Sequence, residues 1–336
     1  MSPIARALHV HSDEVARLTE GRVDVAALRV TDRAGELPLD PAGGLVSPNG
    51  ACRLFRVADG WMALNLARDE DRDLVPAWLG CDFGGDPWDL VAAHAPERPA
   101  QDLADQALLL GLPACCVGEV AAGDPEPRRI VEPDWAEGPT HAVPKVVDLS
   151  ALWAGPLCGA ILAAAGCEVT KVESVRRPDP TRISTPAFHA RLNAAKTELA
   201  LDLADPRGQV QLRALILDAD VVITSARPRG MRAIGLDPAA MLRERRLTWV
   251  AITGYGLAAP ERVGFGDDTA AAGGLVGWRD GEPRFLGDAL SDPLTGVAAA
   301  VAALRALRTD RAGLIDAGMA PVAASSVALI DAPVAA

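Results

Sequence analysis

Two clusters of acids set among glycines hold the residues best placed to do chemistry. They are Gly264-Phe265-Gly266-Asp267-Asp268 and Gly287-Asp288-Ala289-Leu290-Ser291-Asp292, both beside predicted strand ends. Asp292 precedes Pro293 at the start of a long Ala/Leu/Val run, Asp292 to Arg308, that is expected to be helical. It is either a reacting carboxylate or the N-cap of that helix, the role Asp commonly takes there. Other chemistries find no support. The sequence contains no GxSxG elbow, Walker loop or HExxH. The histidines His9, His11, His94, His141 and His189 form no triad-like pattern. The six cysteines include no CxxC pair and no Cys/His cluster with zinc spacing. They are expected to be buried free thiols of a reducing cytosol, and no metal is expected.

The elements that must position these acids alternate in type. Val146 to Ser174, VVDLSALWAGPLCGAILAAAGCEVTKVES, reads as strand, glycine turn, helix and strand. Such a βαβ unit has a right-handed crossover in a parallel sheet, and helix N-terminal amides at its turn suit anions. Strands then follow at Glu198 to Leu203, Asp220 to Thr224, Leu247 to Thr253 and Leu314 to Asp316, with helices at Pro206 to Leu217 and Pro238 to Arg245. A last helix falls within Pro321 to Ile330. The alternation predicts an α/β fold, a Rossmann-like doubly wound parallel sheet over residues 145–336.

Earlier in the chain, Leu54 to Val57 and Trp61 to Leu66 form a hairpin about Ala58-Asp59-Gly60. Helices at Asp69 to Leu79 and Asp102 to Leu110, and a strand within Ala114 to Val120, complete a smaller α+β domain over residues 1–122. Residues 1–46 read as mostly loop, with a short helix at Glu14 to Leu18, and the Pro- and acid-rich 123–144 reads as a linker.

With 336 residues and 49% apolar content, the chain can bury a proper core. A net charge of −12 argues against non-specific binding to nucleic acid or anionic membranes. No apolar stretch reaches the length of a membrane span, and the N-terminus has no signal-peptide core, so a cytoplasmic protein is expected.

The opening turn invites a dinucleotide reading, with Glu173 about where the ribose acid stands, ~20 residues on. The GxGxxG fingerprint fails, because Leu157 stands where its second glycine is needed.

Several segments match another family in order. The opening βαβ, NAAKTELALDLADPRG (Asn193 to Gly208), ADVVITSARPRGMRAIGL (Ala219 to Leu236), AITGYGLAAP (Ala251 to Pro260) and GDALSDPLTG (Gly287 to Gly296) together resemble the class III coenzyme A transferases. That family includes formyl-CoA and carnitine CoA-transferases and α-methylacyl-CoA racemase. SPNGACRLFRVADGWMALNLARDEDRDLVPAWLG, from Ser47, resembles the family's smaller domain, which usually follows the nucleotide-fold half; here the order looks permuted.

The resemblance implies an enzyme that moves CoA between an acyl-CoA and a carboxylic acid, as a homodimer. Asp292 matches the catalytic aspartate, whose carboxylate attacks the thioester to give a mixed anhydride and a CoA thiolate. Amides at Gly273-Gly274 or Gly43-Gly44 are candidate oxyanion donors. CoA contacts are implied at the turn residues Leu152, Trp153, Ala154, Gly155 and Pro156, and at Glu173, Asn193, Ser225, Tyr255 and Gly256. The CoA phosphates call for cations, and Arg182, Lys196, Arg227, Arg229 and Arg232 lie near predicted strand ends, each otherwise an ordinary solvated charge. Trp153, Ser174 and Ser225 depart from the residues the family often carries, and Gly266 stands where the racemase branch has its histidine. The permuted order and those departures leave a second reading, a catalytically silent CoA-binding member, and the opening turn leaves a third, an NAD-dependent oxidoreductase.

Overall fold

The computed structural model describes residues 3–40, 43–82, 84–124, 126–138, 140–309 and 311–331. The chain forms two compact units, and neither is contiguous: 1–36, 126–253 and 293–318 in the first, 37–125, 254–292 and 319–336 in the second.

The first unit is built on a seven-stranded sheet. Its strand order is Arg128–Ile130, Gly313–Gly318, Thr248–Thr253, Val221–Thr224, Lys145–Asp148, Glu168–Ser174 and Thr197–Leu201. Only the edge strand Arg128–Ile130 is antiparallel. From Lys145–Asp148 the chain adds strands first on one side and then on the other, which is the doubly wound order. The switch point lies between that strand and Val221–Thr224. Both central strands Val221–Thr224 and Thr248–Thr253 are buried almost throughout, as strands covered on two faces must be. The crossover helices start where the sequence provides caps. Asp205 and Asp237 each accept a backbone N–H of the first turn, and Pro206 and Pro238 follow at positions that need no N–H.

Two expectations change here. Residues 3–18 are one helix rather than mostly loop. Ala7, Val15 and Leu18 bury on it, and its first turn carries no acid that would announce a start. The segment 123–144 is no free linker, since Arg128–Ile130 joins the sheet and Ala136 N–H donates to Leu242 O.

The second unit carries a meander of Cys52–Val57, Gly60–Asn65 and Ala114–Cys116. Val57 pairs with Gly60, so Ala58-Asp59 is a two-residue hairpin loop. Helices Asp69–Leu79, Pro87–His94 and Ala100–Leu110 pack on it around Met62, Leu64, Trp78 and Leu103. The same unit takes in the helix Gly266–Ala272, the hairpin Val276–Arg279/Glu282–Phe285 and the helix Met319–Asp331. Sequence alternation assigned these to a contiguous 145–336 domain. They belong with 37–125 because Ala271, Ala272, Val276, Phe285 and Ala320 share a buried cluster with Cys52, Leu54, Ala63 and Cys115. Burial of apolar surface is non-directional and leaves no periodic mark on an all-alanine stretch.

Among the described residues no helix is long and apolar enough to cross a membrane. The six cysteines are free thiols, and burial pushes those of Cys52, Cys115 and Cys158 up.

Candidate active site

The opening turn of the first unit encloses a buried ion pair. Asp148, at the end of its strand, and Lys196 are both fully buried, with Nζ 2.8 Å from Oδ2. Lys196 Nζ also donates to Pro156 O at 2.8 Å and Asn193 Oδ1 at 2.9 Å. Asp148 Oδ1 accepts the Ser150 N–H at 3.0 Å and the Ser150 hydroxyl. Burial works to raise the Asp148 carboxyl, but the Lys196 and Lys171 charges outweigh it and hold the group below the ordinary range. The turn glycines exist for this packing. A Cβ on Gly155 would meet Ser150 Cβ at 2.1 Å, and one on Gly159 would meet Asp148 Oδ2 at 2.8 Å. Lys196 and Asn193 therefore serve the fold and are not presented to a CoA phosphate. Lys196→Met should destabilise the protein by about 3–5 kcal/mol, because it strands a buried carboxylate. In urea denaturation the double variant Asp148→Asn/Lys196→Met should lose less than the sum of the two single variants.

Glu173 and Arg182 are similarly committed. The guanidinium donates to Glu173 at 2.9 and 3.1 Å and to Glu198 at 2.8 Å, and Asp179 N–H donates to Glu173 at 3.0 Å. Glu173, Asp179 and His189 bring ligand-capable atoms within 4.8 Å of one another. A cation there is disfavoured, because Arg182 already bonds Glu173 and the Lys171 ammonium lies 3.7 Å from Asp179. Trp153 is buried edge-on to Phe188, with ring centroids 5.2 Å apart, and the Arg33 guanidinium covers it at 4.5 Å. It is a packing residue of the first unit, as the buried Ala154 and Pro156 are.

What remains open in this unit gathers at the switch point. Ala151 N–H donates to Ser225 Oγ at 2.9 Å, tying the turns after the two adjacent strands. Leu152 sits at φ +70, more than a third exposed, with its N–H on Asp179 Oδ2 at 3.1 Å. Arg227 precedes the short helix Pro228–Ala233, and Arg229 and Arg232 on it are exposed. Among the described residues these three arginines have no carboxylate partner. Leu152, Ser225 and Arg227 are thus the predicted contacts that tertiary structure brings together at a place where α/β sheets hold ligands.

The acids of the two glycine clusters meet in the second unit. Asp292 is half-buried in the first turn of the helix Ser291–Arg308. The helix starts one residue before it, so Asp292 is not the N-cap. Its N–H donates to Ala289 O at 3.0 Å. Gly266 lies against its carboxylate so closely that a Cβ there would meet Oδ2 at 2.1 Å. Ser291 Oγ bonds Gly266 O at 2.8 Å and Thr269 Oγ1 at 2.5 Å. Asp267, buried, accepts Ala289 N–H at 2.7 Å and Asn49 Nδ2 at 2.6 Å, and the same amide reaches Asp288 at 2.8 Å. Sequence reading missed Asn49. It stands in Ser47-Pro48-Asn49-Gly50, where no local pattern announces a partner two hundred residues away.

Asp268 is fully buried. Oδ1 accepts Phe265 N–H at 2.9 Å and Asn65 Nδ2 at 3.1 Å, and Oδ2 has no hydrogen-bond partner among the described residues. Burial, and then the Asp267 charge, push its carboxyl well above the usual range, so it is held as the neutral acid. An unfolded Asp ionises near pH ~4. Above that pH the folded state holds the extra proton, and Asp268 costs stability as pH rises toward its folded value. Asp268→Asn should remove that cost. Its urea midpoint relative to wild type should rise between pH 5 and pH 8, and an unchanged difference would count against a neutral Asp268.

Tyr255 packs in the second unit's core with Arg262 3.6 Å over its ring, and Gly256 is buried at φ +83. Gly273 faces the helix Met319–Asp331, where a Cβ would meet Ala320 O at 2.7 Å, and Gly274 N–H donates to Ala271 O at 3.0 Å. Gly44 O accepts Phe285 N–H at 3.0 Å. Gly273 N–H donates to Thr269 O at 3.1 Å, so both amides of the Gly273-Gly274 pair are spent inside the fold and that pair is no oxyanion hole.

The sequence model of CoA-transferase family III matches residues 144–331. The succinate–glutarate CoA-transferase of Agrobacterium fabrum is 30% identical over 207 residues, 55% of this chain and 52% of that one. The human succinyl-CoA:glutarate CoA-transferase is 31% identical over 170 residues, 46% of this chain and 38% of that one. The chain thus spans about half or less of these curated relatives. A crystal structure of a CaiB/BaiF family protein from Brucella suis superposes with a TM-score of 0.51 at 29% identity, covering 57% of this chain and 56% of that one.

Proposed function

The chain belongs to CoA-transferase family III, and on that premise we propose that it moves CoA from an acyl-CoA to a carboxylic acid, with Asp292 as nucleophile. The observation that carries this reading is the Asp292 carboxylate itself. It sits in a helix's first turn, where the dipole favours an anion, and Gly266 leaves room beside it.

An Asp292 oxygen attacks the thioester carbonyl, the C–S bond breaks, and CoA leaves as thiolate with the acyl group on the carboxylate as a mixed anhydride. A thiol of pKa ~8.5 is a good leaving group. The thiolate then attacks the aspartyl carbonyl and releases the first carboxylic acid, leaving an aspartyl thioester. The acceptor carboxylate attacks that thioester, and the returning thiolate takes the new acyl group. Within the first unit, Arg227 and Arg232, which have no carboxylate partner among the described residues, are the cations this reading offers to CoA phosphates.

The test is intact-protein and peptide mass spectrometry after mixing with acyl-CoA and hydroxylamine. The panel begins with succinyl-CoA and glutarate, which the relatives' names carry. A hydroxamate on the Asp292 peptide supports the reading, and no adduct with any of a broad panel overturns it.

A further inference from the structure

Asn49 stands in the loop before the strand Cys52–Val57, far from both acid clusters in sequence. Its carboxamide is oriented from one side. Oδ1 accepts Ala51 N–H at 2.9 Å and lies 3.1 Å from Ser47 Oγ, which in turn accepts Cys52 N–H at 3.0 Å. With the oxygen fixed, the NH2 group points the other way, and it has two hydrogens to give. One goes to Asp267 Oδ2 at 2.6 Å and one to Asp288 Oδ1 at 2.8 Å. Bonds to ionised acceptors are the stronger kind, and a neutral amide shared between two carboxylates lets them lie close.

Both acids flank the reacting segment. Asp267 follows Gly266, the residue against the Asp292 carboxylate, and its other oxygen holds Ala289 N–H at 2.7 Å. Ala289, at φ +45, is a backbone geometry a non-glycine residue adopts only when held, and its carbonyl accepts Asp292 N–H. Asp288 is the neighbour of Ala289. One amide therefore grips the segment Gly287 to Asp292 directly through Asp288 and indirectly through Asp267.

We propose that Asn49 is a positioning residue for CoA transfer, which holds the Asp292 carboxylate in its reacting place by clamping Asp267 and Asp288 together. This rests on Asp292 being the nucleophile. Asn49→Ala removes both bonds. Asn49→Asp keeps the Oδ1 bonds but replaces the donor by a third acid. Asn49→Asp/Asp288→Asn returns a carboxamide–carboxylate bond with its direction reversed.

Misplacement of a reacting group by ~1 Å costs on the order of 100-fold. Asn49→Ala and Asn49→Asp should each lower kcat by about that factor with KM for acyl-CoA changed less than about 3-fold. The double variant should recover at least ~10-fold of the Asn49→Asp loss, a rescue that general destabilisation would not show. Backbone amide exchange at Ala289 to Asp292 should rise in Asn49→Ala, read without any turnover. Unchanged kcat with unchanged exchange overturns the proposal, as does a loss that tracks thermal stability and is not rescued. Should Asn49→Ala fail to fold, Asn49→Asp and its double variant carry the same test. If wild type itself forms no Asp292 adduct, the catalytic reading has failed, while the exchange data still judge the clamp.

Discussion

Replacing Asp292 with asparagine is expected to lower kcat for CoA transfer by about 10,000-fold or more, the scale on which removal of a covalent nucleophile acts. The two side chains have nearly the same shape. The carboxamide would fill the same space beside Gly266, and the backbone N–H at this position would still reach Ala289 O, so the fold should be kept. What is lost is the anionic oxygen that attacks the thioester. KM for acyl-CoA should change little, because the step removed follows binding. Undiminished turnover in Asp292→Asn would remove Asp292 from this role.

Gly266→Ala is expected to be the next most damaging change, and it acts on the same carboxylate from outside. The added Cβ would lie 2.1 Å from Asp292 Oδ2, 2.5 Å from Ala289 Cβ and 2.8 Å from Ala289 O. Real Cβ contacts do not come that close, so the carboxylate or the Ala289 backbone must move. Ala289 already holds φ +45, and Asp267 and Asp292 both bond its peptide, so its backbone has little freedom to yield. The added methyl therefore bears on the Asp292 carboxylate. Overpacking of this kind costs about 1–3 kcal/mol of stability. A displaced nucleophile should cost a further ~100-fold or more in kcat. Gly123→Ala, where a Cβ meets nothing within 4 Å, should leave both stability and turnover unchanged. If Gly266→Ala keeps wild-type kcat, the carboxylate does not react from the position described.

The local elements were legible because each is written in neighbouring residues. Asp69–Leu79 and Pro206–Leu217 begin and end where acids, prolines and glycines mark them. The parallel strands show as short apolar β-branched runs between helices, and their alternation is enough for a doubly wound sheet. The helix Gly266–Ala272 was not legible, because GDDTAAA is buried throughout and has no polar face to give it a period. Nor was the partition of the chain, which leaves the first unit after Thr253 and returns to it at Pro293.

At the site the division is sharper. Ordered motifs, read from sequence, singled out Asp292 among the chain's acids as the one to expect in chemistry. They could not say which cations were available. Lys196 and Arg182 stood beside predicted strand ends as Arg227 did, but Lys196 meets Asp148 across 48 residues of chain and Arg182 meets Glu173 and Glu198. They could not supply Asn49 either, whose amide reaches Asp288 across 239 residues. Sequence by itself determined the elements, the sheet type and the acid to expect in chemistry, because backbone preference and motif order act along the chain. Tertiary structure alone decided which charges are spent, which glycines make room and what holds Asp292, because hydrogen bonds and ion pairs form over a few ångströms between residues that the chain separates widely.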